Sequence, residues 1–386
     1  RVADFFPKTF NRSKNYRRMT VRDLLTMTSG IEPDWVMRNE GTTWCETWLG
    51  KPVARPGKVF KYDSMCTYML SAIMQKATGM PLLDYLKERV FNPMHITEVE
   101  WEVSPESINT GGWGLRIQTE SLAKFGLLLL HDGAWHGKQL IPAQWARAMK
   151  EKQVDNGGFG YGFQMWQCEY PGASRADGAY GQYILIIPNK DMVAVITECT
   201  AIDGINQRRL FWRQLLPTIV DKPMSATISP ELYRKRMEGY ELNPARGKAI
   251  GTLLSTPLRI ALDKNPIGWT EISARRTARQ GEILFSYVQD DDTVALNLYN
   301  NVWTSMSTPV HPVYSIGAQG RFSGLSRPFN VAGCYAVTSD GSLTVALQYP
   351  GWVTSLKLKM PLNNDGSDIK VSMNHEKAID VKGVRI

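Results

Sequence analysis

Few side chains in this sequence are of types that carry chemistry alone, and most of those are dispersed. The five histidines (His95, His131, His136, His311, His375) have no spacing that would gather them on a metal, and each reads as structural. The five cysteines (Cys45, Cys66, Cys168, Cys199, Cys334) include no Cys-x-x-Cys. An odd, sparse set does not describe a disulfide scaffold, so buried free thiols are expected. There is no Gly-x-Ser-x-Gly elbow, no His-Glu-x-x-His, no Walker A loop and no EF-hand loop. The glycines of 157–162 do not fit a dinucleotide fingerprint, and no strand leads into them. What remains is a set of segments in a particular order, one of them Tyr62-Asp63-Ser64, which follows a Pro56-Gly57 turn and precedes an apolar helix pattern. A phenol ionises near pH 10, so Tyr62 is a poor base at neutral pH unless a nearby ammonium favours its anion.

The elements that must position these groups are legible in part. Thr20 precedes Val21–Leu25 with Asp23 three residues on, which predicts a capping box, and Gly30 is expected to stop that helix. A helix is expected over 65–78, with Met65, Tyr68, Met69, Ala72 and Ile73 on one face. Leu70, Met74 and Ala77 are apolar as well, so it should be buried nearly all round. Gly79 and Pro81 end it and open another over 82–90. Thr119 is expected to cap a helix at 121–131, and Pro142 to open one through 144–150. The period then changes: 182–188 and 192–197 read as strands of a hairpin through Asn189-Lys190, followed by an amphipathic helix over 204–220. Helices followed by a hairpin and a closing helix predict an α+β domain with an antiparallel sheet over 1–220. Residues 221–231 read as a linker. Over 232–386, strands are expected at 282–289, 293–299, 333–338, 342–349, 354–360 and 368–373, with a hairpin turn at Asp340-Gly341, which predicts an all-β barrel or sandwich domain.

The order of segments in the first part is distinctive. Thr20 through Ser29-Gly30 is followed by Arg55-Pro56-Gly57 and Tyr62-Asp63-Ser64. Next come Thr78-Gly79-Met80-Pro81, Phe91-Asn92-Pro93-Met94, Gly111-Gly112-Trp113-Gly114-Leu115, and Ala176-Asp177-Gly178-Ala179-Tyr180-Gly181-Gln182. This order resembles the serine β-lactamase and penicillin-binding-protein superfamily, most closely its class C-type branch, which includes esterases and 6-aminohexanoate-dimer hydrolases. The likeness covers about residues 1–220.

The resemblance implies roles. Tyr62-Asp63-Ser64 stands where the family has Tyr-x-Asn, so Tyr62 would shuttle the proton between nucleophile and leaving group. Ser64, in place of Asn, can hydrogen-bond but reaches less far. The family's Lys- or His-x-Gly falls at Ala176-Asp177-Gly178, without the cation, which weakens any claim to bind a β-lactam carboxylate. Gly178 would let substrate approach the backbone, and the Ala179 amide would form half of an oxyanion hole. Trp113, Tyr161, Phe163, Trp166 and Tyr180 are candidates to wall an acyl pocket.

The family's nucleophile lies in Ser-x-x-Lys, ahead of the segment that residues 2–7 resemble. Two such patterns occur here, Ser121-Leu122-Ala123-Lys124 and Ser367-Asp368-Ile369-Lys370, and neither is taken as the nucleophile. The serine and lysine are therefore expected upstream of Arg1, and this chain alone is expected to be inactive. The implied activity is hydrolysis of a small ester or amide through an acyl-enzyme, with no metal or organic cofactor. A degenerate relative that binds cell-wall peptide or glycan without turning it over is the alternative. In the second domain Trp269, Trp303 and Trp352 are candidates to stack on sugars.

Composition is that of a globular protein: 386 residues, 43% hydrophobic and 21% charged, with a net charge of +8. Residues 1–22 hold seven basic side chains against one acidic, a net +6, but lack the context of a nucleic-acid reader. No run of about 18 apolar residues exists to span a membrane. The opening on Arg1, without an initiator Met, suggests that something upstream has been removed. By family analogy alone the protein is expected in the periplasm or outside the cell.

Overall fold

The capping box expected at Thr20 forms. The Thr20 hydroxyl accepts from the Asp23 N–H at 3.2 Å, and Asp23 accepts from the Thr20 N–H at 2.7 Å. This is the N-terminus of α2 (Val21–Leu25), which follows α1 (Lys14–Arg18). Gly30, expected as the helix stop, does something else. The helix ends five residues earlier, and Gly30, at φ +82°, lies so close to the neighbouring segment that a Cβ would stand 2.5 Å from the Ala54 oxygen. Only glycine permits that approach.

The structure is a computed structural model and describes residues 1–8, 13–34, 41–200, 207–220, 222, 228–240, 242–251, 254–313, 322–362 and 368–386. It divides into two units. One comprises Arg1–Glu198 with Ile316–Ser326, and the other Cys199–Ser315 with Arg327–Ile386. Of the expected linker 221–231, residues 221 and 223–227 lie outside the described residues.

In the first unit, α3 (Trp44–Leu49) and α4 (Ser64–Thr78) build one core with α2. Asp63 caps α4 by accepting from the Met65 N–H at 2.9 Å, and Gly79 closes it at φ +74°. Met65, Cys66, Tyr68, Met69, Ala72 and Ile73 are buried, as the periodicity predicts. The next helix is shorter than expected: α5 (Leu82–Leu86) gives way to a wider turn over Lys87–Phe91. The strands β1 (Val99–Trp101) and β2 (Leu115–Ile117) form a small antiparallel pair. Against this pair lies the excursion 322–326, whose Ser323 carbonyl accepts from the Val103 N–H at 2.8 Å.

Helix α6 (Thr119–Leu130) begins two residues earlier than expected, with Gln118 at the cap position and Thr119 already helical. A minor hairpin, β3 (Ala134–Trp135) and β4 (Lys138–Gln139), leads to α7 (Ala143–Lys150), which opens after Pro142. The unit's main sheet runs β5 (Trp166–Gln167), β6 (Ser174–Gly178), β7 (Gln182–Ile187) and β8 (Met192–Thr197), all antiparallel and in that order. Helix α6 packs across β7 and β8. Gly126 allows this, since a Cβ there would stand 2.5 Å from Val193.

In the second unit, α8 (Gln207–Leu210) continues through irregular helical turns to Thr218, so the expected helix over 204–220 is broken; its residues 204–206 lie outside the described residues. After α9 (Pro230–Glu238) come ten strands: β9 (Leu258–Leu262), β10 (Trp269–Arg276), β11 (Glu282–Gln289), β12 (Asp292–Tyr299), β13 (Thr304–Thr308), β14 (Phe329–Val337), β15 (Ser342–Gln348), β16 (Ser355–Pro361), β17 (Asp368–Met373) and β18 (Ile379–Arg385). They form one antiparallel near-barrel sheet in the order β12-β11-β10-β9-β18-β17-β16-β15-β14-β13. Period-2 alternation turns Ile283, Phe285, Tyr287, Val294, Leu296 and Leu298 inward. The same alternation corrects the reading of Trp269 as an exposed sugar platform. Trp269 is buried, stacked 3.9 Å from Tyr287, with its indole N–H donating to Gln289 at 3.0 Å. Trp303 and Trp352 are half-buried. Among the described residues no helix is long and apolar enough to cross a membrane.

Candidate active site

Backbone bonds fix the approach to Tyr62. The Gly57 N–H donates to Thr28 and the Lys61 N–H to Met27, both at 2.8 Å, so residues 57–61 are laced onto the segment that follows α2. Asp63 then locks the end of this lead. One carboxylate oxygen caps α4, and the other accepts from the Trp48 indole N–H at 2.9 Å. The buried carboxylate thus satisfies a helix terminus and a core tryptophan together, and it fixes the backbone on both sides of itself. Tyr62 emerges half-buried just ahead of α4. The Gly111-Gly112-Trp113 loop lies against the first turns of α4. A Cβ on Gly112 would stand 2.7 Å from the Ser64 carbonyl oxygen, and one on Gly111 would stand 2.9 Å from that of Thr67.

Tyr62 belongs to an aromatic cluster. Its ring centroid lies 5.4 Å from that of Trp166, which in turn lies 5.0 Å from Tyr161 and 5.7 Å from Phe60. Two of the aromatics expected to wall a pocket, Tyr161 and Trp166, are therefore gathered with Tyr62. The others make different ring contacts. Trp113 packs on Trp44 and Tyr68, and Phe163 on Trp145 and the Arg22 guanidinium. Tyr180 is buried at a hairpin turn, in the left-handed region at φ +60°.

Strand β6 brings the Ala176-Asp177-Gly178 segment to this cluster. Trp166 and Arg175 are cross-strand partners, and the Arg175 guanidinium lies 5.6 Å over the Trp166 ring. Because strand side chains alternate, Arg175 and Asp177 share one face of β6. Ala176, on the other face, packs into the core that contains Leu129, Ala146, Met165 and Ile184. The position at which the family's cation is missing thus points away from Tyr62, and the charges on the near side are Arg175 and Asp177. They pair directly, Arg175 Nε donating to Asp177 Oδ2 at 2.6 Å, while Nη1 donates to the Gln167 carbonyl at 2.6 Å.

Strand β5 pairs only with residues 174 and 175, so among the described residues the outer edge of 176–178 is covered by no strand. Gly178 ends β6, and Ala179-Tyr180-Gly181 turns the chain into β7. Ala179 is exposed, and its N–H meets no hydrogen-bond acceptor among the described residues.

The electrostatics hold the phenols neutral. Burial pushes the Tyr62 hydroxyl above its ordinary value; the Ser64 hydrogen bond pulls the other way, and the Asp177 and Asp63 carboxylates raise it further. Tyr161 is likewise raised, chiefly by burial, then by Tyr62, Cys66 and Asp177. Burial lowers Arg175, but its bond to Asp177 outweighs that and holds it above the usual guanidinium value. Tyr62 is thus a proton donor at neutral pH. Turning it into a base requires a cation brought to it.

Of the two Ser-x-x-Lys patterns, Ser121 is buried on α6 and Lys124 donates to the Met94 and His95 carbonyls at 3.2 and 3.1 Å, which occupies its ammonium in closing a turn. Ser367 lies outside the described residues. Three contributors were not singled out from the sequence. Asp63 acts through Met65 and Trp48, and Arg175 through Asp177, Gln167 and Trp166. Gln164 receives the Thr67 hydroxyl at 2.6 Å and donates to the Leu24 and Leu25 carbonyls, tying α4 to α2. The Asx-type cap before an apolar helix is the one sequence signal that marked any of them.

Among solved structures, the chain is similar to a Bacillus anthracis protein described as a 6-aminohexanoate-dimer hydrolase, with 23% identity, 50% of this chain and 58% of that chain covered, and a TM-score of 0.43. The chain thus spans less than two thirds of that protein's length. It is similar to a penicillin-binding protein homologue of Caulobacter crescentus at 16% identity, covering 50% and 68%, with a TM-score of 0.41. The octameric penicillin-binding protein homologue of Pyrococcus abyssi matches at 16% identity over 99% of this chain and 81% of its own, with a TM-score of 0.44. No curated protein matches. The model of the Beta-lactamase family matches residues 1–198, more than half of the chain and the span that carries Tyr62, α4 and β6. The chain belongs to the Beta-lactamase family.

Proposed function

We propose that this protein is a serine hydrolase that cleaves a small ester or amide through an acyl-enzyme, with Tyr62 carrying the proton. One observation supports the reading above others: the Tyr62 ring lies 5.4 Å from Trp166, the cross-strand partner of Arg175 on β6, whose outer edge is open over 176–178. An open edge accepts an extended substrate backbone, Gly178 leaves room for it, and the Ala179 amide is the group proposed to hold the oxyanion.

The nucleophilic serine and its lysine are proposed to precede Arg1 in the full-length protein. The serine oxygen attacks the carbonyl, and its proton passes to the Tyr62 oxygen and on to the leaving group. Water then releases the acyl group and returns a proton to the serine. A lysine ammonium next to Tyr62 would lower the phenol and so allow it to act as a base. We propose further that the protein is exported, which fractionation of the cells that make it would test.

The test uses the full-length protein with a fluorophosphonate probe and a p-nitrophenyl ester. A single covalent adduct on a serine upstream of Arg1, with a burst of p-nitrophenol, is the expected result. A folded full-length protein that takes up no probe and turns over no ester or amide would sink the reading.

A further inference from the structure

The near face of β6 has an electrical polarity that bears on the substrate. Arg175 and Asp177 form one ion pair, but its two ends are not equally presented. The Arg175 side chain is 11% exposed and held inward by the Gln167 carbonyl and the Trp166 ring, whereas Asp177 is 26% exposed and lies next to Gly178 at the open edge. The cation is the buried end of the pair and the carboxylate the accessible one. The surroundings report the same sign. Both Tyr62 and Tyr161 are raised in part by the Asp177 carboxylate. The position where the family carries a cation is Ala176, turned into the core on the opposite face.

We infer that Asp177 is a specificity-determining residue that receives a positively charged group of the substrate, so the site selects an ester or amide bearing an ammonium near the scissile carbonyl and rejects one bearing a carboxylate there. The inference rests on the acyl-transfer reading and names its substrate class. The physical reason is that an exposed carboxylate beside a neutral phenol in a partly desolvated site attracts a cation and repels an anion, and like-charge juxtaposition is how such sites exclude wrong partners.

Three p-nitrophenyl esters of equal chain length, ending in an ammonium, a methyl or a carboxylate, separate the outcomes when assayed with the full-length protein. The wild type should rank ammonium over methyl over carboxylate in kcat/KM, with at least tenfold between the extremes. Asp177→Asn, which leaves Arg175 as the local charge, should erase or invert that ranking, and Asp177→Glu should keep it. If Asp177→Asn lowers all three esters by the same factor, Asp177 only pairs a charge within the protein and the inference is overturned. The same holds if the wild type favours the carboxylate. If no ester is turned over, the acyl-transfer reading fails, but the charge preference is still decided by titrating the protein with butylammonium and with butyrate, following tryptophan fluorescence. Tighter binding of butylammonium, lost in Asp177→Asn, supports the inference, and equal or reversed binding overturns it.

Discussion

Each unit contains a cluster of tyrosine and tryptophan rings, and the two clusters differ in one respect. In the second unit Trp269, Phe285 and Tyr287 pack together, the Tyr287 and Tyr349 hydroxyls pair with each other at 3.1 Å, and the Trp269 N–H is taken by Gln289. The polar atoms there are satisfied by neutral groups, which is how a buried core avoids the cost of stranded donors. In the first unit Phe60, Tyr62, Tyr161 and Trp166 make similar ring contacts, but an Arg175–Asp177 ion pair adjoins them and Tyr62 remains half-exposed. Placing charges beside phenols does little for stability, because desolvating an ion pair offsets most of what its attraction contributes. The cluster that carries this arrangement at an open strand edge is the one proposed to do chemistry, and the other holds a sheet together.

The contrast can be broken from either side. The largest effect belongs to Tyr62→Phe, which keeps the ring and removes the proton carrier. It should lower kcat on a p-nitrophenyl ester by about a hundred- to ten-thousand-fold, the usual contribution of a positioned acid–base group. The thermal midpoint should hardly move, and an unchanged kcat would remove Tyr62 from the mechanism. Trp269→Ala should do the reverse. Emptying that much of a packed core costs about 3–5 kcal/mol, read as a lower denaturant midpoint for the second unit, while ester turnover persists.

The smallest effect, counted per group, is shared by both clusters and concerns alkaline pH. Tyr287 is pushed up to about 12 by burial, and Tyr349, Tyr62 and Tyr161 are raised in the same direction. A group whose folded value lies above its unfolded value stabilises the fold fully below the unfolded value, about 10 for tyrosine, and loses that contribution as pH rises toward the folded value. Stability should therefore be flat with respect to these groups up to about pH 10. It should then fall by about 1.4 kcal/mol per pH unit for each phenol that remains protonated in the fold. Circular dichroism against pH, with tyrosinate absorbance recorded in parallel, checks both the sign and the window.

Much of the local structure was legible because it depends on neighbours within one or two turns. The Thr20–Asp23 capping box, the helix over 64–78 with its Gly79 stop, the hairpin of β7 and β8, and six of the barrel strands follow from caps, periodicity and turn residues. Strands β9, β10, β13 and β18 went unread; β9 with β10 and β13 with β14 are successive strands, and the pairing of β18 with β9 joins the sheet across segments remote in sequence. Gly30 was misassigned for a similar reason. Its φ is a local matter, but the backbone that forbids a Cβ there comes from Ala54.

By itself the amino-acid sequence determined that the chain has the ordered segments of a serine β-lactamase-like protein, with Tyr62 ahead of a buried helix and Ala176-Asp177-Gly178 on a strand leading into a hairpin. Only the tertiary structure decided which side chains of that strand meet Tyr62. A strand presents alternate residues to opposite faces, so a shift of one position exchanges an alanine for an ion pair, and which face is inward is set by the helix and sheet packed on either side. Side-chain identity is written along the chain. The sign of the charge at the site depends on which face is turned toward Tyr62, and that is a property of the fold.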